Sequence, residues 1–229
     1  MNLKKNIPNI ITLLNLFCGC IALVFVANNQ FEIAFYFVCL GIFLDFFDGF
    51  FARLFKVSSP LGLQLDSLAD MVTSGVVPGF VMYKMVNEYT NYNPILPYLG
   101  FIITLGSCYR LANFNIDTRQ TDSFIGLPTP ANTLFIMSLP LIGLNHFMDF
   151  NFIHAFLLII SLLSAYIMNA EIPLFSLKIK KMSFDGNELQ IIFLLLSLLL
   201  IGFFQFLGVV LVIIFYVLLS IIMNILKRK

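Results

Sequence analysis

Residues 44–70 read LDFFDGFFARLFKVSSPLGLQLDSLAD, and the reading of this stretch decides the fold class. It joins two apolar runs through a short turn and carries four of the chain's twelve acidic residues, Asp45, Asp48, Asp66 and Asp70. At about 100° per residue, Asp45, Asp48, Gly49, Ala52 and Lys56 fall within about 100° of one another on the first helix. Phe43, Phe47, Phe50 and Leu54 take the opposite side, suited to lipid or helix packing. On the second helix Gly62, Asp66, Asp70 and Thr73 share a face by the same rule, with Ser59 suited to the N-cap and Pro60 to the first helical position. So short a connection makes the helices antiparallel neighbours. Two carboxylates from each are therefore expected to meet near one end of the hairpin.

The rest of the chain says what surrounds that hairpin. Of 229 residues, 60% are hydrophobic and 11% charged, against about 25% charged in soluble domains. A soluble fold of this size could not hide so much apolar surface, so the expected solvent is lipid. A net charge of +1, with no basic run longer than three residues, gives no sign of nucleic-acid binding. Cys18, Cys20, Cys39 and Cys108 lie in apolar stretches without zinc spacing and read as small core residues. His146 and His154 flank a short polar turn and read as solvated loop residues.

Crossing about 30 Å of hydrocarbon takes about 20 apolar residues. Eight such stretches are expected, near 6–27, 31–56, 61–86, 94–115, 129–147, 152–170, 189–206 and 208–226. The first imitates a signal peptide, but Asn9, Thr12 and Asn15 interrupt it and no convincing cleavage site follows. The last two are separated only by Gly202, Gln205 and Gly208, and a hairpin fits them better than one very long tilted helix. In this topology every Lys and Arg except Lys84 falls on one side, which the positive-inside rule assigns to the cytoplasm together with both termini. The expected fold is an all-α integral membrane protein. Residues 1–177 form a six-helix catalytic core, 178–188 a cytoplasmic connection and 189–229 a C-terminal two-helix hairpin.

An Asp near the middle of a membrane helix costs roughly 2.5–3.5 kcal/mol on insertion scales, so four of them call for compensation, and ionisable residues at such depth are functional by default. Four carboxylates bring −4, which two divalent ions would balance. Oxygen ligands without Cys or His favour Mg²⁺, Mn²⁺ or Ca²⁺ over zinc, and a pair of ions about 3.5–4 Å apart suits in-line phosphoryl displacement. Gly49, Ala52 and Gly62 leave room for a bulky nucleotide, and Arg53 and Lys56 can neutralise phosphate oxygens. The rival from another class, a cation-coupled transporter, would need polar residues continuing to the far side, whereas these acids cluster at one end.

Asp45-x-x-Asp48-Gly49-x-x-Ala52-Arg53, eight residues, then Gly62-x-x-x-Asp66-x-x-x-Asp70 resembles the signature of the CDP-alcohol phosphotransferase family without a departure, and the resemblance of the core covers roughly the first 170 residues. It implies a six-helix core, a homodimer and a site open to the cytoplasm. It also implies metal ligation by Asp45, Asp48 and Asp66, and a base role for Asp70, which can also lie near a metal. Gly49, Ala52, Arg53 and Gly62 match positions lining the CDP site, with Lys56 beside them. The implied reaction is attack of an acceptor hydroxyl on the lipid-side phosphorus with CMP leaving, supported by Mg²⁺ or Mn²⁺.

The acceptor is read from looser stretches. Pro8–Thr12 with Asn15 and Gly19, residues 110–115 (RLANFN) and residues 124–131 (FIGLPTPA) look like the membrane-spanning phosphatidylserine synthase branch, which implies CDP-diacylglycerol and L-serine. The alternatives are glycerol 3-phosphate, inositol or another alcohol. For serine, Arg110 is expected to take the carboxylate, with Asn113 and Asn115 as further acceptor contacts. Thr129 and Asn132 suit either acceptor binding or capping, and Asn169 and Glu171 a polar contact.

Overall fold

The computed structural model describes residues 3–57, 59–90, 93–119, 124–144, 150–176 and 187–227, and these are helical with no strand among them. Helices α1 (Leu3–Ala27) and α2 (Phe31–Phe55) form the first antiparallel pair. Next come α3 (Pro60–Asp70), a π-helical turn (Met71–Val76) and α4 (Val77–Glu88), end to end as one rod. A 3₁₀ segment (Leu96–Phe101) leads into α5 (Ile102–Ile116). Helices α6 (Thr129–Ser138), α7 (Phe150–Asn169) and α8 (Glu188–Lys227) complete the order.

Most of the apolar runs become helices near their expected positions, and four helices are long and apolar enough to cross a membrane: Asn6–Ala27, Phe31–Phe55, Phe152–Asn169 and Glu188–Leu226. Large apolar side chains face outward, Phe203 at 79% exposure and Phe46 at 62%, as expected where lipid is the solvent. The α8 run breaks at Gln205 (φ 50°, ψ −121°). A side chain at Gly208 would run into the Leu200 carbonyl, so the two halves fold back as a hairpin.

Several expectations need correction. The fifth run, expected over 129–147, keeps α-helical form only to Ser138 and 3₁₀ form to Leu141, because Pro140 lacks an N–H and disrupts the helical ladder. Cys20 and Cys108 are exposed rather than core; against lipid an outward thiol carries little penalty. His154 lies within α7, not in a loop, and His146 falls outside the described residues. So does most of the 178–188 connection.

The turn between α2 and α3 is built as its residues suggest. Lys56 adopts the left-handed conformation (φ 54°) and its N–H reaches the Ala52 and Arg53 carbonyls, while Ser59 accepts from Gly62 N–H at 3.0 Å. These caps satisfy groups that the helix ends leave open.

The π turn immediately after Asp70 was not foreseen. Widening the helix leaves carbonyls without their i+4 donors. Hydroxyls from two neighbouring helices fill the gap: Ser107 donates to the Ser74 carbonyl at 3.3 Å, Thr133 to the same oxygen at 3.0 Å and Thr104 to the Gly75 carbonyl at 2.9 Å. Thr73, in the same turn, wedges between α1 and α2, where a side chain at Gly41 would meet Thr73 Cγ2 at 2.9 Å. The π turn thereby locks the acid-bearing rod against α1, α2, α5 and α6.

Candidate active site

The four aspartates come together. Carboxylate oxygens of Asp45, Asp48 and Asp66, one from each, lie within 4.8 Å of one another. Asp48 is buried at 6% exposure. Asp70, one turn beyond Asp66, stands outside that triplet, and its Oδ1 accepts from Asn15 Nδ2 at 3.1 Å. The Thr12 hydroxyl donates to Asp48 Oδ2. These α1 contributions were not foreseen as site residues. Their signal was visible, since Asn9, Thr12 and Asn15 interrupt an otherwise apolar run at a spacing of three.

So many carboxylates at close quarters in a low-dielectric bundle repel unless cations join them. The donor set fits a hard divalent ion: it is all oxygen, with three carboxylates converging, and Asp45 Oδ1 is buried with no hydrogen-bond partner, an orphan acceptor that metal ligation would satisfy. Asp45, Asp48 and Asp66 are the residues that would hold such an ion.

The acids form a wall between two chambers. One, of about 200 Å³, is lined by Pro8, Asn9, Thr12, Asp48, Gly49, Ala52, Val57, Ser59, Gly62, Leu63 and Asp66. The small motif residues Gly49, Ala52 and Gly62 lie here together. Arg53 and Lys56 are exposed and outside this lining; a side chain at Gly49 would come within 3.9 Å of the Arg53 guanidinium, so Arg53 stands beside Gly49 on α2.

The second chamber, of about 210 Å³, is lined by Asp45, Asp66, Ser67, Asp70, Arg110, Leu111, Phe114, Asn115, Phe124, Pro128, Thr129 and Pro130. Arg110 is buried at 6% exposure, its guanidinium 5.6 Å from the centre of the Phe114 ring. Asn115 donates to Ser67 Oγ at 2.8 Å. Asn113 does not join them; it is exposed and absent from the lining. The lining side of α5 runs from Arg110 through Phe114 and Leu111 to Asn115, and Asn113 lies about 130° from the middle of that arc. Its expected acceptor role is a correction.

Residues 124–128 are strapped across this chamber by the chain after α7: Gly126 N–H donates to the Ile172 carbonyl at 2.9 Å and Leu174 N–H to the Phe124 carbonyl at 2.8 Å. Asn169 Nδ2 donates to the Gly106 and Ala165 carbonyls, and Glu171 accepts from Arg119 at 3.3 Å. Both act as ties between α5 and the end of α7. Lys84 sits at the opposite end of the bundle, donating to the Ala27 carbonyl at the end of α1.

The family model for CDP-alcohol phosphatidyltransferases matches residues 5–226. Curated relatives named CDP-diacylglycerol–serine O-phosphatidyltransferase include one from Bacillus subtilis, 40% identical over 128 residues, which are 54% of this chain and 69% of that protein. One from Helicobacter pylori (strain 26695) is 32% identical over 195 residues, 83% of this chain and 80% of that protein. A third, from Saccharomyces cerevisiae, is 32% identical over 145 residues, 56% of this chain and 51% of that protein.

Proposed function

This chain belongs to the CDP-alcohol phosphatidyltransferase family, and on that premise we propose that it transfers the phosphatidyl group of CDP-diacylglycerol to the hydroxyl of L-serine, giving phosphatidylserine and CMP. The observation that carries the reading is the group of four carboxylates between two chambers of different character, Asp48 lining one, Asp45 and Asp70 the other and Asp66 both. The chamber floored by Gly49, Ala52 and Gly62 admits the cytidine diphosphate, with Arg53 and Lys56 answering phosphate charge at its mouth. The Arg110 chamber takes serine, the guanidinium pairing with its carboxylate and Asn115 and Ser67 offering polar contacts.

Asp45, Asp48 and Asp66 would hold two divalent ions, Mg²⁺ or Mn²⁺, which when bound supply counter-charge for the diphosphate and for the oxygen that departs with CMP. Asp70 takes the proton of the serine hydroxyl as its oxygen forms the new bond to phosphorus and the bond to CMP breaks. Asn15 holds the Asp70 carboxylate in place for that step. Among acceptors, serine is favoured by the names of the relatives and by a buried cation where a carboxylate would lie.

Location follows the same charges. Arg53, Lys56, Arg110 and Arg119 lie toward the acid end and Lys84 toward the other. The cell membrane with the acid end and both termini in the cytoplasm is the reading that fits the positive-inside rule. Residues 1–177 act as the catalytic body and 189–229 as a covering hairpin, in a homodimer whose mass in detergent is the check.

Purified chain given CDP-diacylglycerol, Mg²⁺ or Mn²⁺ and L-serine should release CMP and form phosphatidylserine. Turnover with glycerol 3-phosphate or inositol but not with serine would reassign the acceptor. Asp70→Asn should lose turnover and keep metal binding; loss of metal instead would make Asp70 chiefly a ligand.

A further inference from the structure

A third cavity, of about 310 Å³, lies away from the acids between α6, α7 and the second half of α8. Its wall is apolar, with Phe156, Ile160, Ile167 and Val217 among the lining, yet Asn132 is set into it. Asn132 is buried at 1% exposure, and neither its side-chain oxygen nor its side-chain nitrogen has a hydrogen-bond partner. An unpartnered amide in so dry a place costs about 1–3 kcal/mol, and a cavity wall is where a ligand atom would relieve it.

Shape and position say which ligand. The acid-chamber strap meets the end of α7, with Leu127 N–H donating to the Ile167 carbonyl at 3.1 Å, so Ile167 marks the cavity's acid end and Phe156 its depth. That interval on α7 is about 16 Å, roughly half of a ~30 Å hydrocarbon core and hence the reach of one leaflet's acyl chain. Thr129 lines the acid chamber and Asn132 this cavity, one helical turn apart, about 4.5 Å along α6. In a phosphatidyl group the ester carbonyl follows the phosphate by a few bonds, and the acyl chain follows the carbonyl.

We infer that Asn132 and this cavity receive an acyl ester of the phosphatidyl donor, the amide Nδ2 donating to the ester carbonyl and the chain running between α7 and the C-terminal hairpin. This rests on the proposed reaction for its donor and adds a specificity for ester-linked lipid. It also gives the hairpin a role in donor binding, since Val217 closes one side of the channel.

The test compares CDP-diacylglycerol with its dialkyl ether analogue, which lacks the carbonyl. Binding is read as a thermal shift of the full chain in detergent without serine, so that it stands apart from turnover. The unaltered chain should bind the ester about fivefold more tightly than the ether. Asn132→Leu should erase that difference while retaining the ether's affinity. Val217→Phe should weaken long-chain donors and spare short-chain ones, an arm that does not require Asn132→Leu to fold. Equal binding of ester and ether by the unaltered chain, or equal loss of both in Asn132→Leu, overturns the assignment, as does chain-length indifference in Val217→Phe. Normal donor binding with no CMP released on adding serine would instead count against the proposed reaction and leave the ester site standing.

Discussion

The two chambers beside the acid wall are of nearly equal volume, about 200 and 210 Å³, but they are built differently. The first is made almost entirely by one local hairpin, Asp48 to Asp66, closed by a single face of α1. The second borrows Asp45, Asp66, Ser67 and Asp70 from that hairpin and takes the rest from residues 110–115 and 124–130. A local hairpin fixes the geometry in which a common group is held. A chamber gathered from distant segments can vary its far wall without disturbing the acids. On the proposed reading, the hairpin chamber holds the donor and the gathered chamber the acceptor.

That contrast can be broken by substitution. The largest effect is expected at Asp66, which lines both chambers: Asp66→Asn should lower kcat by at least about a thousandfold and weaken Mn²⁺ binding, read by calorimetry. Chelation of divalent metal should likewise stop CMP release, and Mg²⁺ or Mn²⁺ should restore it. Arg110→Ala should raise the KM for serine about 10- to 100-fold, the worth of a charged hydrogen-bonded contact, and leave donor binding unchanged. Ala52→Leu should do the reverse, raising the donor KM about tenfold by overfilling the hairpin chamber. Unequal chambers would show as crossed effects; if Arg110→Ala and Ala52→Leu each moved both KM values alike, the division between donor and acceptor sides would be lost. Asn113→Ala should change either KM by less than about twofold, since surface positions rarely matter, and it serves as the control on α5.

Residues enter this site by two routes, and only one is written in the chain. Asp45, Asp48, Gly49 and Ala52 share a face because they lie on one helix, and Asp66 and Asp70 on the next; period and turn length suffice to bring them together. The cap at Ser59 and the break near Gln205 were legible for the same local reason. Thr12 and Asn15 carried a signal, polar atoms in an apolar run, but which carboxylate each would meet depends on how α1 crosses the hairpin. Asn113 and Asn115 look interchangeable in sequence, and only the packing of α5 decides that Asn115 faces the chamber and Asn113 the outside.

What the sequence by itself determined is therefore whatever helical periodicity and hydrophobicity dictate: an all-α bundle with an apolar surface and a hairpin whose acids meet. The tertiary structure decided the rest. It inserted a π turn after Asp70, whose freed carbonyls are satisfied by Ser107 and Thr104 from α5 and Thr133 from α6, and it split the space around the acids into two chambers. It also left Asn132 facing a third. Those features depend on hydrogen bonds and contacts between residues far apart in the chain, and no local pattern encodes which distant side chain will arrive to make them.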